Sequence, residues 1–328
     1  MVDGVNILII GGSGMIGRKL AERLARDGRL GGKDISNLTL FDVAPGVVPD
    51  GSKVPVNLLI GDLATQGDTD RLLGGKPDII FHLAAIVSGE AELDFDKGYR
   101  INLDGTRNLL ESVRRAGHRP RVVLASSIAV FGAPFPDPIP DDFHLTPQTS
   151  YGTQKAIAEL LLADYTRKGF LDGVGLRLPT ICVRPGRPNK AASGFFSSII
   201  REPLADQEAL LPVADDVRHT HASPRSAVGF MLRGASIDGG ELGPQRTVTL
   251  PGLSVTVGEQ IDALRRIAGD KVVSRIRRQP DDFIQRIVSG WPTRVEAKRA
   301  RALGFTAEKT FDDIIRAHIE DELGGTIA

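Results

Sequence analysis

The sequence has little cysteine and no excess charge of either sign, and each absence excludes a class of protein. Cys182 is the only cysteine among the 328 residues, so no disulfide can form within the chain. This composition favours a reducing compartment. Lysine plus arginine and aspartate plus glutamate both number 41, so no net charge attracts nucleic acid or an acidic membrane. We therefore expect neither nucleic acid nor a membrane as a partner.

The sequence also lacks long apolar runs, repeats and targeting segments. No apolar run is long enough to cross a membrane, and no repeat or low-complexity tract is present. The opening residues MVDG lead directly into a short apolar run, without the basic region and apolar core of a signal peptide. We expect a cytoplasmic protein whose length is sufficient for one large or two ordinary domains.

The stretch VNILIIGGSGMIGRKLAERL, residues 5–24, predicts a strand, a glycine turn and a helix in that order. Its first six residues are a β-branched apolar run, typical of a strand buried on both faces. Ile16, Leu20 and Leu24 then recur every four residues, as on one face of an amphipathic helix. Strand, turn and helix in this order are typical of the opening of a dinucleotide-binding βαβ unit.

The three glycines of this turn each have a physical role in such a unit. Gly11 permits a tight reversal, Gly14 permits close approach to a pyrophosphate, and Gly17 permits close packing of helix on strand. The free N–H groups of the helix start, near Met15 and Ile16, then face the phosphates. The alternative is a purely structural glycine turn.

Acidic and small residues follow the next predicted strands. Asp42 closes the run of residues 37–41, where its carboxylate would accept from ribose hydroxyls and repel a 2′-phosphate. A polar connection, DGRLGGKD, accounts for the long interval before it. Asp62 and Leu63 end the third predicted strand, VPVNLLIGDL, where Asp62 either reaches an adenine amino group or caps the next helix. The fourth strand, PDIIFHLAA, ends in small residues against which a cofactor can lie.

Alternation of strands and helices predicts an α/β protein with a parallel, doubly wound sheet. The sixth strand, GVGLRLPTICV, is interrupted by Pro179, so we expect the chain to leave the sheet or reach its edge there. We expect a cofactor domain over residues 1–178 and a mainly substrate-binding, capping region over residues 179–328. Some later elements, notably a helix over residues 226–233, are expected to return to the first domain.

Tyr151, Lys155 and Ser127 form the candidate catalytic group. Tyr151 and Lys155 are four residues apart on a predicted helix and share one face, and Ser127 ends the fifth strand beside Ser126. Oxidation of an alcohol needs a base, and an ammonium with an oxidised nicotinamide would lower the tyrosine pKa toward that role. A serine hydroxyl would orient the substrate hydroxyl. The alternative is a chance pair on a helix surface.

These motifs together resemble a known family. GGSGMIG, Asp42, HLAA, SSIAVFG, YGTQK and the tail AKRARALGF are similar to those of the extended short-chain dehydrogenase/reductases, the nucleotide-sugar epimerase and dehydratase type. The resemblance implies a Rossmann-type fold, bound NAD, Tyr151 as acid/base, Lys155 as its partner and Ser127 as the third member. It also suggests a homodimer through the helices that contain Asn102 and Tyr151.

Cofactor contacts are expected, from the motifs and the resemblance together, at residues near several strand ends and helix starts. They are Gly11, Gly14, Met15, Ile16, Gly17, Asp42, Asp62, Leu63, Leu83, Ala84, Ala85, Asn102, Tyr151, Lys155 and Pro179. Asn102 falls where the family has a structural or relay asparagine.

The sequence departs from the nucleotide-sugar enzymes where a sugar diphosphate is held. Leu178, Pro179 and Thr180 occupy the region of a usual asparagine, and VRHTHASPRSA replaces a usual arginine–aspartate–aromatic stretch. The stretches SYGTQKAIAELLLADYTRKGF, LRLPTICVRPGRPN and SGFFSSIIREPLA resemble a branch that oxidises a small four-carbon sugar acid with NAD. The alternatives are a nucleotide-sugar epimerase or dehydratase and a non-catalytic NAD-bound regulator, which has no need of the catalytic group.

A carboxylate substrate calls for arginine, because guanidinium binds carboxylate in a bidentate manner. Six arginines between residues 177 and 225 are candidates, and we expect about two of them at the site: they are Arg177, Arg184, Arg187, Arg201, Arg218 and Arg225. Arg184 and Arg218 are our choices, beside Ser88, Ser127 and Tyr151, as substrate contacts. His219 and His221 lack a third ligand at recognisable spacing, so we expect no metal.

Overall fold

The computed structural model describes residues 4–186 and 193–327 of the chain. Its strands are β1 (Val5–Ile10), β2 (Arg29–Leu30), β3 (Lys33–Asp42), β4 (Val56–Ile60), β5 (Ile79–His82), β6 (Arg121–Ser127), β7 (Asp172–Leu178), β8 (Thr180–Ile181), β9 (Ala209–Leu211), β10 (Arg218–Ala222), β11 (Thr247–Thr249), β12 (Leu253–Thr256) and β13 (Ile276–Arg278).

The helices alternate with these strands in the first half of the chain and are denser in the second. They are α1 (Met15–Asp27), α2 (Gln66–Leu73), α3 (Ser88–Leu93), α4 (Phe95–Gly98), α5 (Gly105–Ala116), α6 (Ser150–Arg167), α7 (Gly194–Leu204), α8 (Pro224–Ser236), α9 (Gly239–Leu242), α10 (Val257–Ala268), α11 (Asp270–Val273), α12 (Asp282–Ser289), α13 (Lys298–Ala302) and α14 (Phe311–Glu322). A π-helical segment, Tyr99–Asp104, leads into α5, and a 3₁₀ turn, Ile128–Val130, follows β6.

The main sheet is parallel and doubly wound, in the order β4-β3-β1-β5-β6-β7-β11. The short β2 adds an antiparallel hairpin to the start of β3. The expectation of an α/β, Rossmann-type fold is confirmed. The carboxyl ends of parallel strands share one edge, so the ends of β1, β3, β5 and β6 open together on one crevice.

The burial of β1 shows why its sequence is apolar from Ile7 to Ile10. Ile7 and Ile9 pack into the core on one face of the sheet, with α1 and α8. Leu8 and Ile10 pack into a second core on the other face, with α2, α5 and α6. Successive residues of a strand point to opposite faces, so a strand covered by helices on both sides is apolar on both of its faces.

The second half of the chain builds a smaller region with its own core. Its sheets are β8-β10-β12 and the pair β9-β13. Its core is formed by α7, α10 and α14, with Phe196, Ile261 and Ile315 among the buried side chains. As expected, the chain leaves the main sheet at Pro179, because β8 pairs with β10 rather than continuing β7. Two later elements return to the first domain, because β11 pairs with β7 and α8 packs against α1. The domain boundary between residues 178 and 179 stays a prediction.

Several predicted elements differ from the structure in their limits. The third predicted strand corresponds to β4 and ends at Ile60, so Asp62 and Leu63 lie in the following loop. The connection DGRLGGKD is not simply a polar loop but a tight hairpin, with Gly31 at φ 58° and Gly32 at φ 82°. In the described ranges, none of the helices combines the length and the apolar character needed to cross a bilayer.

Candidate active site

A cleft of about 860 Å³ lies at the carboxyl edge of the main sheet and reaches into the smaller region. Of the residues predicted from the sequence, it is lined by Gly11, Gly14, Met15, Ile16, Gly17, Leu83, Ala85, Ser88, Ser127, Tyr151, Pro179 and Arg184. Those that do not line it are Asp42, Asp62, Leu63, Ala84, Asn102, Lys155 and Arg218. One continuous cleft therefore joins the glycine turn to the candidate catalytic residues.

The glycine turn has the close contacts that its sequence predicts. Gly11 has φ 86°, and a Cβ there would lie 2.7 Å from the Ala84 nitrogen. A Cβ on Gly17 would lie 2.1 Å from the Gly11 carbonyl oxygen, so helix and turn pack in direct contact. The start of α1 carries neither a capping side chain nor an acidic residue in its first turn. Its N–H groups thus face the cleft as donors for a phosphate.

Asp42 ends β3 directly beside the glycine turn. One carboxylate oxygen accepts from the Ser13 N–H at 3.0 Å and the other from the Ala44 N–H at 3.2 Å. The two backbone contacts fix the carboxylate at the rim of the turn. Each oxygen retains a further lone pair for a ribose hydroxyl.

Asp62, Leu63 and Asn102 have protein partners. Asp62 accepts from Arg100 at 2.7 Å and from the Ala64 N–H at 2.9 Å, and the N-cap of α2 is Thr65, so Asp62 is not the cap of that helix. Burial acts to raise the Asp62 pKa, but the Arg100 hydrogen bond holds it below its ordinary value. Leu63 is buried. Asn102 is also buried, and it ties the loop after β5 to α6 by accepting from the Ile86 N–H and donating to Gln154, which makes it a positioning residue.

The two serines at the end of β6 have different hydrogen-bond partners. Ser126 is buried and donates to Glu159 on α6 at 2.5 Å, so its hydroxyl hydrogen is used within the protein. Glu159 also forms a buried ion pair with Arg177 of β7 at 2.8 Å. Ser127 accepts from the Ala129 N–H at 3.1 Å, which leaves its own O–H as a donor facing the cleft.

Tyr151 and Lys155 lie on one face of α6, as their spacing predicts. Thr149 caps this helix by accepting from the Gly152 N–H, which fixes the first turn that carries Tyr151. Lys155 is buried and donates to the Ala125 carbonyl at 2.8 Å. Its Nζ lies 5.6 Å from the centre of the Tyr151 ring. The ammonium is therefore held against β6, close behind the phenol.

Burial shifts the pKa values of both members of this pair. Desolvation raises the pKa of Tyr151 to about 12, and the charge that opposes this rise belongs to Arg184 rather than to Lys155. Desolvation lowers the pKa of Lys155 to about 8, against the attraction of Glu159. Among the groups of this chain, burial is the largest influence on the pKa of Tyr151, and the expected lowering by an ammonium and an oxidised nicotinamide together stays a prediction. The charge of Arg184 acts on Tyr151 in the lowering direction.

The candidate arginines differ in the groups with which they pair. Arg184 is half-buried and donates to the Ile181 carbonyl and to Ser193, and it forms no ion pair with any carboxylate of the described residues. The others pair with acidic groups: Arg177 with Glu159, Arg201 with Glu202, Arg218 with Glu259, and Arg225 with Glu320 and Asp321. Arg187 lies outside the described residues. The structure thus brings Arg184 into the cleft and leaves Arg218 outside it.

Sequence reasoning missed several residues that line the cleft. They are Thr180, Ser197, Arg201, His219, Phe283, Arg286 and Trp291. The alternation in RHTHA was the available signal, because residues two apart on a strand share a face. We weighed His219 only as a metal ligand, and no group of three metal-ligating side chains occurs among the described residues. Cys182 is buried, and burial raises the pKa of its thiol to about 12.

Comparison with known proteins identifies the family. The model of the NAD dependent epimerase/dehydratase family matches residues 7–218. The chain belongs to this family. Its cofactor is therefore NAD.

Relatives within the NAD dependent epimerase/dehydratase family carry two kinds of name. The chain is 48% identical to a D-erythronate dehydrogenase of Cupriavidus necator, over 97% of this chain and 98% of that one. It is 40% identical to a D-erythronate dehydrogenase of Haemophilus influenzae, over 97% and 100%. A crystal structure from Agrobacterium tumefaciens, described as a nucleoside-diphosphate-sugar epimerase, is 62% identical, with a TM-score of 0.96 over 99% of this chain and 96% of that one.

Proposed function

We propose that the protein oxidises D-erythronate at C2 to 2-oxo-erythronate with NAD. The observation that carries the proposal is that Arg184, with no carboxylate partner in the described residues, lines the same cleft as Tyr151 and Ser127. A small hydroxy acid presents a carboxylate next to the carbon that is oxidised, which suits Arg184, because its charge acts directly on the Tyr151 phenol. The names of the two D-erythronate dehydrogenases support this substrate.

Each residue of the candidate site has a separate role in the proposed reaction. Arg184 binds the carboxylate, and the Ser127 hydroxyl donates to the C2 oxygen as charge develops there. Tyr151 as phenolate takes the hydroxyl proton while the C2–H bond breaks and the C=O double bond forms. NAD, when bound, would supply the acceptor for the hydride and a positive charge that lowers the pKa of Tyr151. Lys155 would hold the nicotinamide ribose.

The chain's own residues suit a bound dinucleotide. The uncapped start of α1 takes the pyrophosphate, with the narrow passage at Gly11 and Gly17 leaving no room for side chains. Asp42 takes the adenosine ribose hydroxyls. Pro179 and Ala85 line the same cleft as the glycine turn and Tyr151.

Asp42 should make the enzyme prefer NAD over NADP. A carboxylate about 4 Å from a phosphate charge costs about 1 kcal/mol even in a fully hydrated site, which corresponds to a preference of at least roughly fivefold. The measurement is kcat/KM with both cofactors in the wild type and in Asp42→Asn. The variant should lose most of the preference, whereas equal efficiency of the two cofactors in the wild type would contradict the assignment.

A nucleotide-sugar epimerase is the second candidate, favoured by the description of the Agrobacterium tumefaciens protein. An epimerase returns its hydride to the substrate and accumulates no NADH, whereas a dehydrogenase releases one NADH for each substrate molecule. The experiment is a screen of sugar acids and uridine-diphosphate sugars, following NADH absorbance and product structure. Steady NADH formation with D-erythronate supports the proposal. Epimerised nucleotide sugar without net NADH would replace it.

Two further expectations stay predictions. We propose a homodimer through the helices that contain Asn102 and Tyr151, for which the 65% exposed side chain of Leu160 on α6 is the supporting observation. The cytoplasmic location expected from composition is likewise untested.

A further inference from the structure

Thr180 and His219 form a hydrogen-bonded pair in the wall of the cleft, at the junction of the two regions. Thr180 begins β8, directly after Pro179, and His219 lies on β10. The Thr180 Oγ1 lies 2.7 Å from His219 Nε2, and His219 Nδ1 lies 2.9 Å from the Pro292 carbonyl oxygen. Thr180 and His219 both line the cleft.

The Pro292 carbonyl determines which imidazole nitrogen carries the proton. A carbonyl oxygen only accepts, so Nδ1 must be the donor. Burial lowers the pKa of His219 to about 4, against the Pro292 hydrogen bond and with the help of the Arg184 charge, so the ring is neutral at working pH. Nε2 of this tautomer is therefore an acceptor.

The hydroxyl of Thr180 is oriented as a consequence. Since Nε2 only accepts, the Thr180 O–H must donate to it. Oγ1 can then only accept hydrogen bonds from any other group. The imidazole that imposes this orientation is itself fixed, because it stacks on Phe196 with ring centres 5.4 Å apart and packs against Trp291 at 5.3 Å. The cleft is thus lined by an acceptor at Thr180 that cannot act as a donor and by the donor-only guanidinium of Arg184.

We propose that Thr180, oriented by His219, accepts a hydrogen bond from a substrate hydroxyl that is not oxidised, and so selects polyhydroxy acids over deoxy acids. This inference rests on the proposed function. Arg184 then recognises the carboxylate, Tyr151 and Ser127 the reacting hydroxyl, and Thr180 a second hydroxyl of the same molecule. Thr180 is in this sense a specificity residue, and His219 is a positioning residue.

The test uses Thr180→Val, which keeps the branched shape and removes the oxygen. kcat/KM is measured for D-erythronate and for a 2-hydroxybutanoate of the same C2 configuration, which lacks the other hydroxyls. The variant should lose roughly 3- to 10-fold on D-erythronate, the range of one neutral hydrogen bond, and almost nothing on the deoxy acid. NAD affinity should be unchanged, and Thr180→Ser should retain the wild-type ratio between the two substrates.

The contrary outcomes are distinct. An equal loss on both substrates, or a loss confined to NAD affinity, would overturn the role of Thr180 while leaving the dehydrogenase proposal intact. A wild type that does not oxidise D-erythronate would overturn the proposed function and this assignment with it.

The His219→Phe variant tests the positioning role, because it retains the ring contacts with Phe196 and Trp291 but removes the acceptor. It should lower the ratio of kcat/KM for D-erythronate to kcat/KM for 2-hydroxybutanoate. An unchanged ratio in a folded His219→Phe protein would contradict the positioning role.

Discussion

Tyr151→Phe should lower kcat by roughly 10²- to 10⁴-fold, the usual contribution of a positioned acid/base. The change removes only the hydroxyl, while the ring stays in place on α6 above the ammonium of Lys155. NAD affinity should remain close to that of the wild type, because Tyr151 acts on the substrate proton. The measurement is steady-state kinetics with D-erythronate beside NAD binding by fluorescence titration.

Tyr165→Phe is the matched control for this variant. Tyr165 lies on the same helix, and its hydroxyl donates to Glu111, away from the residues that line the cleft. Its loss should leave kcat unchanged. Near-normal kcat in Tyr151→Phe would place the base on another residue.

Arg184→Ala should reduce kcat/KM for D-erythronate by roughly 10- to 100-fold, because a charge-assisted hydrogen bond contributes about 1.5–3 kcal/mol. The loss should be far smaller for a matched polyol without the carboxylate, which the wild type should already use poorly. Kinetics of the variant on the acid and the polyol measure the difference directly.

Arg218→Ala is the matched control, since Arg218 is occupied by Glu259 and by the Ser254 carbonyl outside the cleft. It should leave kcat/KM nearly unchanged, because Arg218 does not line the cleft. A larger effect at Arg218 than at Arg184 would contradict the assignment of the carboxylate to Arg184. Tight competition by a uridine-diphosphate sugar would move the assignment to the epimerase.

The features that sequence predicted well are those encoded over a few residues. The glycine turn follows directly from its spacing, and the shared face of Tyr151 and Lys155 follows from the helix period. The exit of the chain from the sheet at Pro179 follows from the missing N–H of proline. Each of these depends on a local rule, and the structure places all of them at one crevice.

The features that sequence missed depend on partners distant in the chain. Arg218 and His219 are adjacent on β10, so they point to opposite sides, and only the pairing of β10 with β8 and β12 decides which one faces the cleft. Asp62 is paired by Arg100, which lies in the segment leading into α5. A similar limit applies to Tyr151, since its raised pKa results from burial by the folded cleft.

The central claim is hydride removal from C2 of D-erythronate, and isotope transfer tests it most directly. The enzyme is given D-erythronate deuterated at C2 with NAD, and both products are examined by mass spectrometry and NMR. The account predicts one deuterium in the reduced nicotinamide and none in 2-oxo-erythronate. Unlabelled NADH with the deuterium retained in the acid would place the oxidation at another carbon and contradict the account.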